Sequence, residues 1–404
     1  MNHRERVLMA LRHQEPDRVP VDLGGIDATS INGRAYQRLK DRLGIVGGRN
    51  RIHHPILDIA IVEDAVLEWA GADCRPVLFE GRAYRPGELF DGTPCEYPIN
   101  WNPSRQADGA EVVVIDRSGT TLRRAPGAAF YFFDRAPLAD AESVADIERR
   151  AIEVEQYDDW GFWDGDWAAM EAEGRRLLET TDYLVTGNFS GHIFAGGEIL
   201  RGYETFLLDL VERPAMAQAL MELLTEHQIA RFDRYVARVG PFVQVINVSD
   251  DLGGQDAPLI SPRMYRSLVK PYHARLFGHM KEKWGGYLLM HSDGAVAPFI
   301  PDLIEIGVDI LNPVQYTAGG MDLADLKSRY GRDLCFWGGG CDTQHVLPLG
   351  SPLDVRDAVK ASIDALAPGG GFVFAQIQII QPETPPENLV AMYEAVGEFG
   401  GYIG

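Results

Sequence analysis

The chain has 404 residues, with 38 Lys and Arg against 59 Asp and Glu, a net charge of −21. So acidic a surface repels the phosphates of nucleic acid and of an anionic membrane, and neither is expected as a partner. Hydrophobic residues at 46% and charged residues at 24% describe a globular chain rather than a disordered one, long enough for one barrel-type domain with an insertion or for two smaller domains.

Residues 1–17 (MNHRERVLMALRHQEPD) lack the apolar core of a secretory signal. No run approaches the roughly eighteen apolar residues of a membrane span. Four cysteines (Cys74, Cys95, Cys335 and Cys341) are too few for a disulfide framework in a chain of this length. A cytoplasmic protein with reduced thiols is expected.

Apolar and β-branched runs ending in polar residues or Gly predict strands at 19–25, 74–79, 183–189, 243–251, 287–291, 308–313, 334–338 and 372–378. Helical patterns lie between most of them. One spans about 263–283, with Met264, Leu268, Tyr272, Leu276 and Met280 on one face. Another starts at Ser351 as N-cap, with Pro352 at its first position and Asp354 in its first turn. It repeats Val355, Val359, Ile363 and Leu366 and ends at Gly369 and Gly370. Eight strands alternating with helices imply parallel pairing through right-handed crossovers, and the expected fold is an α/β (β/α)8 barrel formed by residues 1–404 as one domain. An insertion at about 80–180 separates the second and third strands. There EVVVI at 111–115, RSGTT at 117–121 and FYFF at 130–133 predict an antiparallel excursion, with a hairpin turn at Ser118-Gly119, acting as a lid. Trp160, Trp163 and Trp167 follow; they read as anchors packing the excursion onto the barrel or as a wall of the pocket.

Active sites of such barrels lie at the carboxyl ends of the strands. The polar residues there are Asp22, Asn188, Ser190, His192, Asn247, Asp250, Asp251, His291, Asp293, Asn312, Gln315, Cys341, Asp342, Gln376 and Gln378. His291, Asp293 and Cys341 offer nitrogen, oxygen and thiolate, a set that suits Zn²⁺. The bland reading is a chance HxD and a small buried Cys after a glycine turn. Gly338–Gly340 (in WGGGCDTQ) reads as an abrupt turn rather than a phosphate cradle, because it lacks the GK[ST] that follows a phosphate loop. Asp250 and Asp251 serve either as acid and base or as hydrogen-bond acceptors at the next helix's N-terminus. Gln376 and Gln378 face the same way on a strand and suit recognition of an ether, amide or carboxylate. Asn188 and Gln315 complete the substrate-side group. His192, His273 and His345 read as structural or surface residues rather than ligands, with His192 kept on the substrate side for its place after the third strand.

These residues sit in blocks with a familiar order: RVLMALRHQEPDRVPVDLGG at 6–25, DDLGGQDAPLISPRMYRSLVKPYHARLF at 250–277, MHSDGAVAPFIPDLIEIGVDILNPVQ at 290–315, FWGGGCDTQHVLPLGSPLDV at 336–355 and QPETPPENLVAMYEA at 381–395. The pattern resembles the uroporphyrinogen decarboxylase superfamily, most closely its corrinoid-dependent methyltransferase branch. The decarboxylases carry arginines near the amino terminus that bind propionates; residues 22–32 (DLGGIDATSIN) hold none. They also place a histidine where this chain has Gln378. Porphyrinogen decarboxylation is therefore not expected. The methyltransferase branch binds zinc through HxC and a later Cys. His291 and Cys341 match two of these ligands, and Asp293 stands in place of the first Cys. Glu198 is then a candidate fourth ligand. The resemblance implies demethylation of a small methylated, O-methyl substrate. A zinc Lewis acid assists, and the methyl group passes to cobalamin as cob(I)alamin. No DxHxxG-type run is present, so the cobalamin is expected on a separate corrinoid protein. A homodimer is expected from the frequency of that assembly. Alternatives are a metal-independent decarboxylase or lyase using Asp250 or Asp251, and a catalytically degenerate binding subunit.

Overall fold

Seven strands pair in parallel in chain order: β1 (Cys74–Pro76), β2 (Leu184–Ser190), β3 (Val245–Ser249), β4 (Tyr287–His291), β5 (Ile310–Asn312), β6 (Cys335–Trp337) and β7 (Phe372–Val373). The computed structural model describes residues 1–78, 83–156 and 167–402. Residues 20–22 join the two edges of this sheet. Asp22 N–H donates to the Phe374 carbonyl (2.8 Å), Phe374 N–H to the Pro20 carbonyl (2.8 Å) and Asp73 N–H to the Val21 carbonyl (2.7 Å). The predicted first strand is thus present as a short bridge, because Pro20 has no N–H to extend the ladder. The result is a curled, barrel-like α/β sheet with helices between successive strands from β2 onward. Among the described residues no helix is long and apolar enough to cross a membrane.

Alternation along the strands sorts the core. Cys74, Leu184, Val245, Leu289, Ile310, Cys335 and Val373 form a buried cluster inside the barrel with Trp337 and Ala375. Their neighbours Val185, Ile246, Leu288, Leu311, Phe336 and Phe372 belong to the larger core beneath the helices. Two residues further along β2 to β5, the inward positions become Thr186, Asn247, His291 and Asn312, with Asn188 beyond Thr186. The register agrees, pairing Asn188 with Asn247 and His291 with Asn312. The barrel lumen therefore changes from hydrocarbon to amide and imidazole towards its carboxyl end.

At the opposite end, the side chain of Asp73 is fully buried and ties the amino-terminal helix α1 (His3–Leu11) to the first strands. It accepts from Arg6 (2.7 Å), from Arg18 (2.7 Å), from His3 (2.7 Å) and from Val21 N–H (2.8 Å). Five predicted strands, those at 183–189, 243–251, 287–291, 308–313 and 334–338, appear within two residues of their observed bounds. The strand predicted at 74–79 ends at Pro76, and Phe79 lies outside the described residues.

Between β1 and β2 the chain forms a pair of antiparallel strands, Tyr84–Glu88 and Pro94–Pro98, and a four-stranded antiparallel sheet ending in Phe132–Arg135. Glu111–Val114 and Thr121–Arg124 are joined through the Ser118-Gly119 turn, with Gly119 at φ +86°. Trp160 and Trp163 lie outside the described residues; Trp167 opens a helix and is 41% exposed, so it is not a buried anchor.

The helix Pro352–Leu366 starts with a capping box between Ser351 and Asp354 and buries Val355, Val359, Ile363 and Leu366, as its sequence predicts. The helix predicted over 263–283 differs. Residues Tyr265–Val269 are π-helical, which widens one turn and shifts the buried face to Tyr265, Val269 and His273. Met264, Leu268 and Tyr272 are only partly buried as a result.

Candidate metal centre and active site

The carboxyl end of β4 places His291 on the inward side, and the chain then turns through Ser292, Asp293 and Gly294. Gly294 has φ +86°, and a Cβ there would meet the Gly253 backbone at 2.5 Å. Glycine is therefore required for the loop after β3 to lie against the turn after β4. That contact brings Asp251 to the site, where its Oδ1 accepts from Asp293 N–H (2.9 Å). His291 Nε2 lies 3.8 Å from Asp251 Oδ1 and 3.8 Å from Asp293 Oδ2. One ligand atom from each of the three residues falls within 4.8 Å of the others.

The tautomer of His291 follows from its neighbours. Asn312 Nδ2–H donates to the Trp337 carbonyl (2.7 Å), which can only accept. Asn312 Oδ1 is then the acceptor facing His291 Nδ1 (2.7 Å), so Nδ1 carries the proton. The Nε2 lone pair is left pointing at the two carboxylates, the arrangement of a metal-binding imidazole held by an outer hydrogen bond. Gln378 Nε2–H donates to Asp293 Oδ2 (2.7 Å), while Asp293 Oδ1 is buried with no hydrogen-bond partner. Burial first, then the charge of Asp251, push the Asp293 carboxyl up; His291 opposes this and its own imidazole is raised by the two carboxylates against burial. Two uncompensated carboxylates and an aimed imidazole fit a divalent cation. The donors are two oxygens and one nitrogen, a harder set than the predicted one, suiting zinc and also manganese or iron.

Cys341 is not among these three. The glycine turn carries it into the apolar core, where it is fully buried with Sγ 4.0 Å from the Asp342 carbonyl. Burial, then Asp342, push its thiol up to about 12. Of the predicted His291–Asp293–Cys341 set, the structure brings His291 and Asp293 together with Asp251, read from the sequence as an acid–base group, and places Cys341 in the core. Glu198, on the helix Phe194–Arg201, has a buried Oε1 with no partner. Burial and the charges of Asp250 and Asp251 push it up to about 8.

Asp250 takes the other role weighed for it. Its oxygens accept from the N–H groups of Ile193 (3.0 Å), Phe194 (3.0 Å) and Ala195 (2.6 Å), and from His273 Nε2 (2.9 Å). Burial alone would raise this carboxyl, but the His273 and backbone hydrogen bonds hold it below its usual value. A carboxylate so occupied, with three of these bonds on Oδ2 and one on Oδ1, positions the helix carrying Glu198. His192 lies beside it, half-buried, with its carbonyl 3.5 Å from Gln228 Nε2.

Gln315 Oε1 accepts from Gly294 N–H (2.8 Å), supporting the turn. Gln376 and Gln378 do not act together: the strand ends before them, Gln376 bonds the Ser30 carbonyl (3.3 Å), and Gln378 reaches Asp293. A cleft of about 530 Å³ opens beside Asp293, lined by Gln315, Gln344, Ile377, Gln378 and Gln381 among others. Asp27 and His53 escaped sequence reasoning. Asp27 Oδ1 lies 3.5 Å from His53 Nε2 and 3.4 Å from Asn188 Nδ2. Burial, opposed by His291, pushes Asp27 up to about 7. The one available signal was its place in the loop after the first strand.

Parallel-barrel proteins with carboxylates and imidazole gathered at the strand ends form the class to which this fold and site point. Within it, the chain belongs to the uroporphyrinogen decarboxylase (URO-D) family, whose model matches residues 186–399. It is 23% identical to a uroporphyrinogen decarboxylase of Hydrogenovibrio crunogenus over 192 residues, 47% of this chain. That match spans 50% of the relative's length. In fold it is similar to a methyltransferase from Methanosarcina mazei, with a TM-score of 0.59, 18% identity and 99% of both chains covered.

Proposed function

We propose that this chain is a methyltransferase of the corrinoid-dependent kind, demethylating a small methylated substrate, an O-methyl compound in its simplest form. The methyl group passes to cob(I)alamin carried by a separate corrinoid protein. The observation carrying this reading is the Asp251–His291–Asp293 cluster at the carboxyl end of a URO-D barrel. The absence of arginine from residues 22–32, and Gln378 where decarboxylases have histidine, weigh against porphyrinogen chemistry. The four hydrogen bonds that Asp250 accepts, three from backbone N–H groups and one from His273, weigh against a lyase that would use it as acid or base.

A zinc ion bound by the cluster supplies Lewis acidity to the heteroatom that bears the methyl group. The chain's own residues do the rest. Asn312 fixes the imidazole of His291 with Nε2 forward. Gln378 holds one oxygen of Asp293 and leaves the other free. Glu198 remains the candidate fourth ligand. Asn188, beside Asp27, and Gln315, beside Gly294, orient the substrate, and the cleft beside Asp293 admits it. A homodimer and a cytoplasmic location belong to the same proposal.

The test incubates the zinc-loaded protein with cob(I)alamin and a panel of methyl donors and follows the visible spectrum. Conversion to methylcobalamin with one donor, lost in His291→Ala, is the expected result. No conversion with any donor, while metal is bound, contradicts the proposal.

A further inference from the structure

Two amides stand side by side in the barrel mouth. Asn188 on β2 and Asn247 on β3 are register partners on the inward face. Asn247 is 7% exposed, and its Oδ1 is buried with no hydrogen-bond partner. Asn188 Oδ1 is in the same state, because its Nδ2 is turned to Asp27. Amide carbonyls so buried cost free energy unless a donor reaches them. Asp27 adds a carboxylate to the group, with His53 behind it.

Charge narrows the class of donor. A divalent metal on Asp251 and Asp293 cancels their two charges and leaves Asp27 as the carboxyl of this group that a substrate cation would meet. No Lys or Arg is among the described residues lining the cleft beside Asp293, which is rich in Gln and carries Glu383, itself 3.7 Å from Arg34; Arg75, in the pocket that His53 also lines, is paired with Asp64. A carboxylate or phosphate on the substrate would face the two Asn carbonyl oxygens and Asp27, with neutral amide N–H groups of the cleft and no Lys or Arg to bind it. A protonated amine offers N–H donors and one positive charge, which the two carbonyl oxygens and one carboxylate match.

We infer that Asn188, Asn247 and Asp27 form a subsite for a protonated amine on the substrate, beside the metal cluster that takes the methyl-bearing end. This deepens the methyltransferase reading and rests on it for the second half of that statement.

The test uses three probes that share a methoxyphenyl group and differ in charge: 4-methoxybenzylammonium, 4-methoxybenzyl alcohol and 4-methoxybenzoate. Calorimetric titration of the zinc-loaded protein is expected to rank them in that order. Asp27→Asn, which keeps size and shape, should lower affinity for the ammonium probe roughly ten-fold or more and leave the alcohol nearly unchanged. Asn247→Leu should weaken the ammonium probe in the same direction. Bound zinc and Tm should stay as in the parent for both variants. The inference is overturned if the benzoate binds as well as the ammonium, if the ammonium does not bind, or if Asp27→Asn leaves the preference intact. The two proposals fail separately. Ammonium binding that depends on Asp27, with no methyl transfer, keeps the subsite and removes the methyltransferase. Methyl transfer from the alcohol without preference for the ammonium does the reverse.

Discussion

His291 owes its orientation to Asn312 and, behind it, Trp337. The Trp337 carbonyl sets the amide of Asn312, and that amide sets the imidazole. Asn312→Leu removes both hydrogen bonds while keeping similar bulk. It is expected to weaken metal binding roughly 10–100-fold, measured by competition with a chromophoric chelator. Unchanged affinity would show that the ring is held by packing alone. His291 and Asp293 were legible in the sequence because residues two apart at a strand end face the same opening. Asp251 was legible as a strand-end acid but not as their partner, since its place depends on two backbones meeting at Gly253 and Gly294. The direction in which a triple-glycine turn sends its next residue has no local code, which is why Cys341 read as a ligand.

At the scale of elements, the close approach at Gly294 is the joint that assembles the cluster. Gly294→Ala puts a Cβ into the Gly253 backbone at a φ that costs about 1–3 kcal/mol in its own right. Tm should fall, and bound metal with it, as Asp251 moves away from His291. A variant with full metal content and unchanged Tm would contradict this role.

The Asp73 junction under α1 carries stability rather than chemistry. Burial alone would raise its carboxyl, yet hydrogen bonds from His3, Arg18 and Val21 N–H, with the charge of Arg18, hold it below its usual value. Its contribution is therefore complete above the unfolded aspartate value near ~4 and is lost as pH falls through the lower folded value. Asp73→Asn should cost about 1–3 kcal/mol in urea unfolding at neutral pH, because Arg6, Arg18 and His3 each lose a charge-assisted hydrogen bond while Arg6 keeps its pair with Asp17. The gap from the parent should narrow in acid; a gap independent of pH would assign the loss to packing. Among elements, the Ser351 capping box was legible because its signals are local. The π-helical turn at Tyr265–Val269 was not, since it is set by tertiary contact, and with it went the inward face of His273 that meets Asp250.

For the molecule as a whole, the charge of −21 makes like-charge repulsion a standing cost of compactness. Raising ionic strength from ~0.01 to ~0.15 M shortens the screening length from ~30 to ~8 Å. Tm should rise over that range; a fall would mean that surface ion pairs outweigh the repulsion. The parallel barrel-like architecture was legible from the alternation of apolar runs and helical patterns, and the family from the order of its sequence blocks. The closing of the sheet through residues 20–22 was less so, because Pro20 and a glycine-rich loop leave little strand pattern to read.

As proposed, Asp251, His291 and Asp293 hold a metal ion and Cys341 does not. Elemental analysis of the purified protein beside Asp251→Ala, His291→Ala, Asp293→Ala and Cys341→Ala tests it most directly. The account predicts about one zinc per chain in the parent and in Cys341→Ala, with zinc lost in the other three. A parent without metal, or zinc that departs with Cys341 and stays without Asp251, would contradict it.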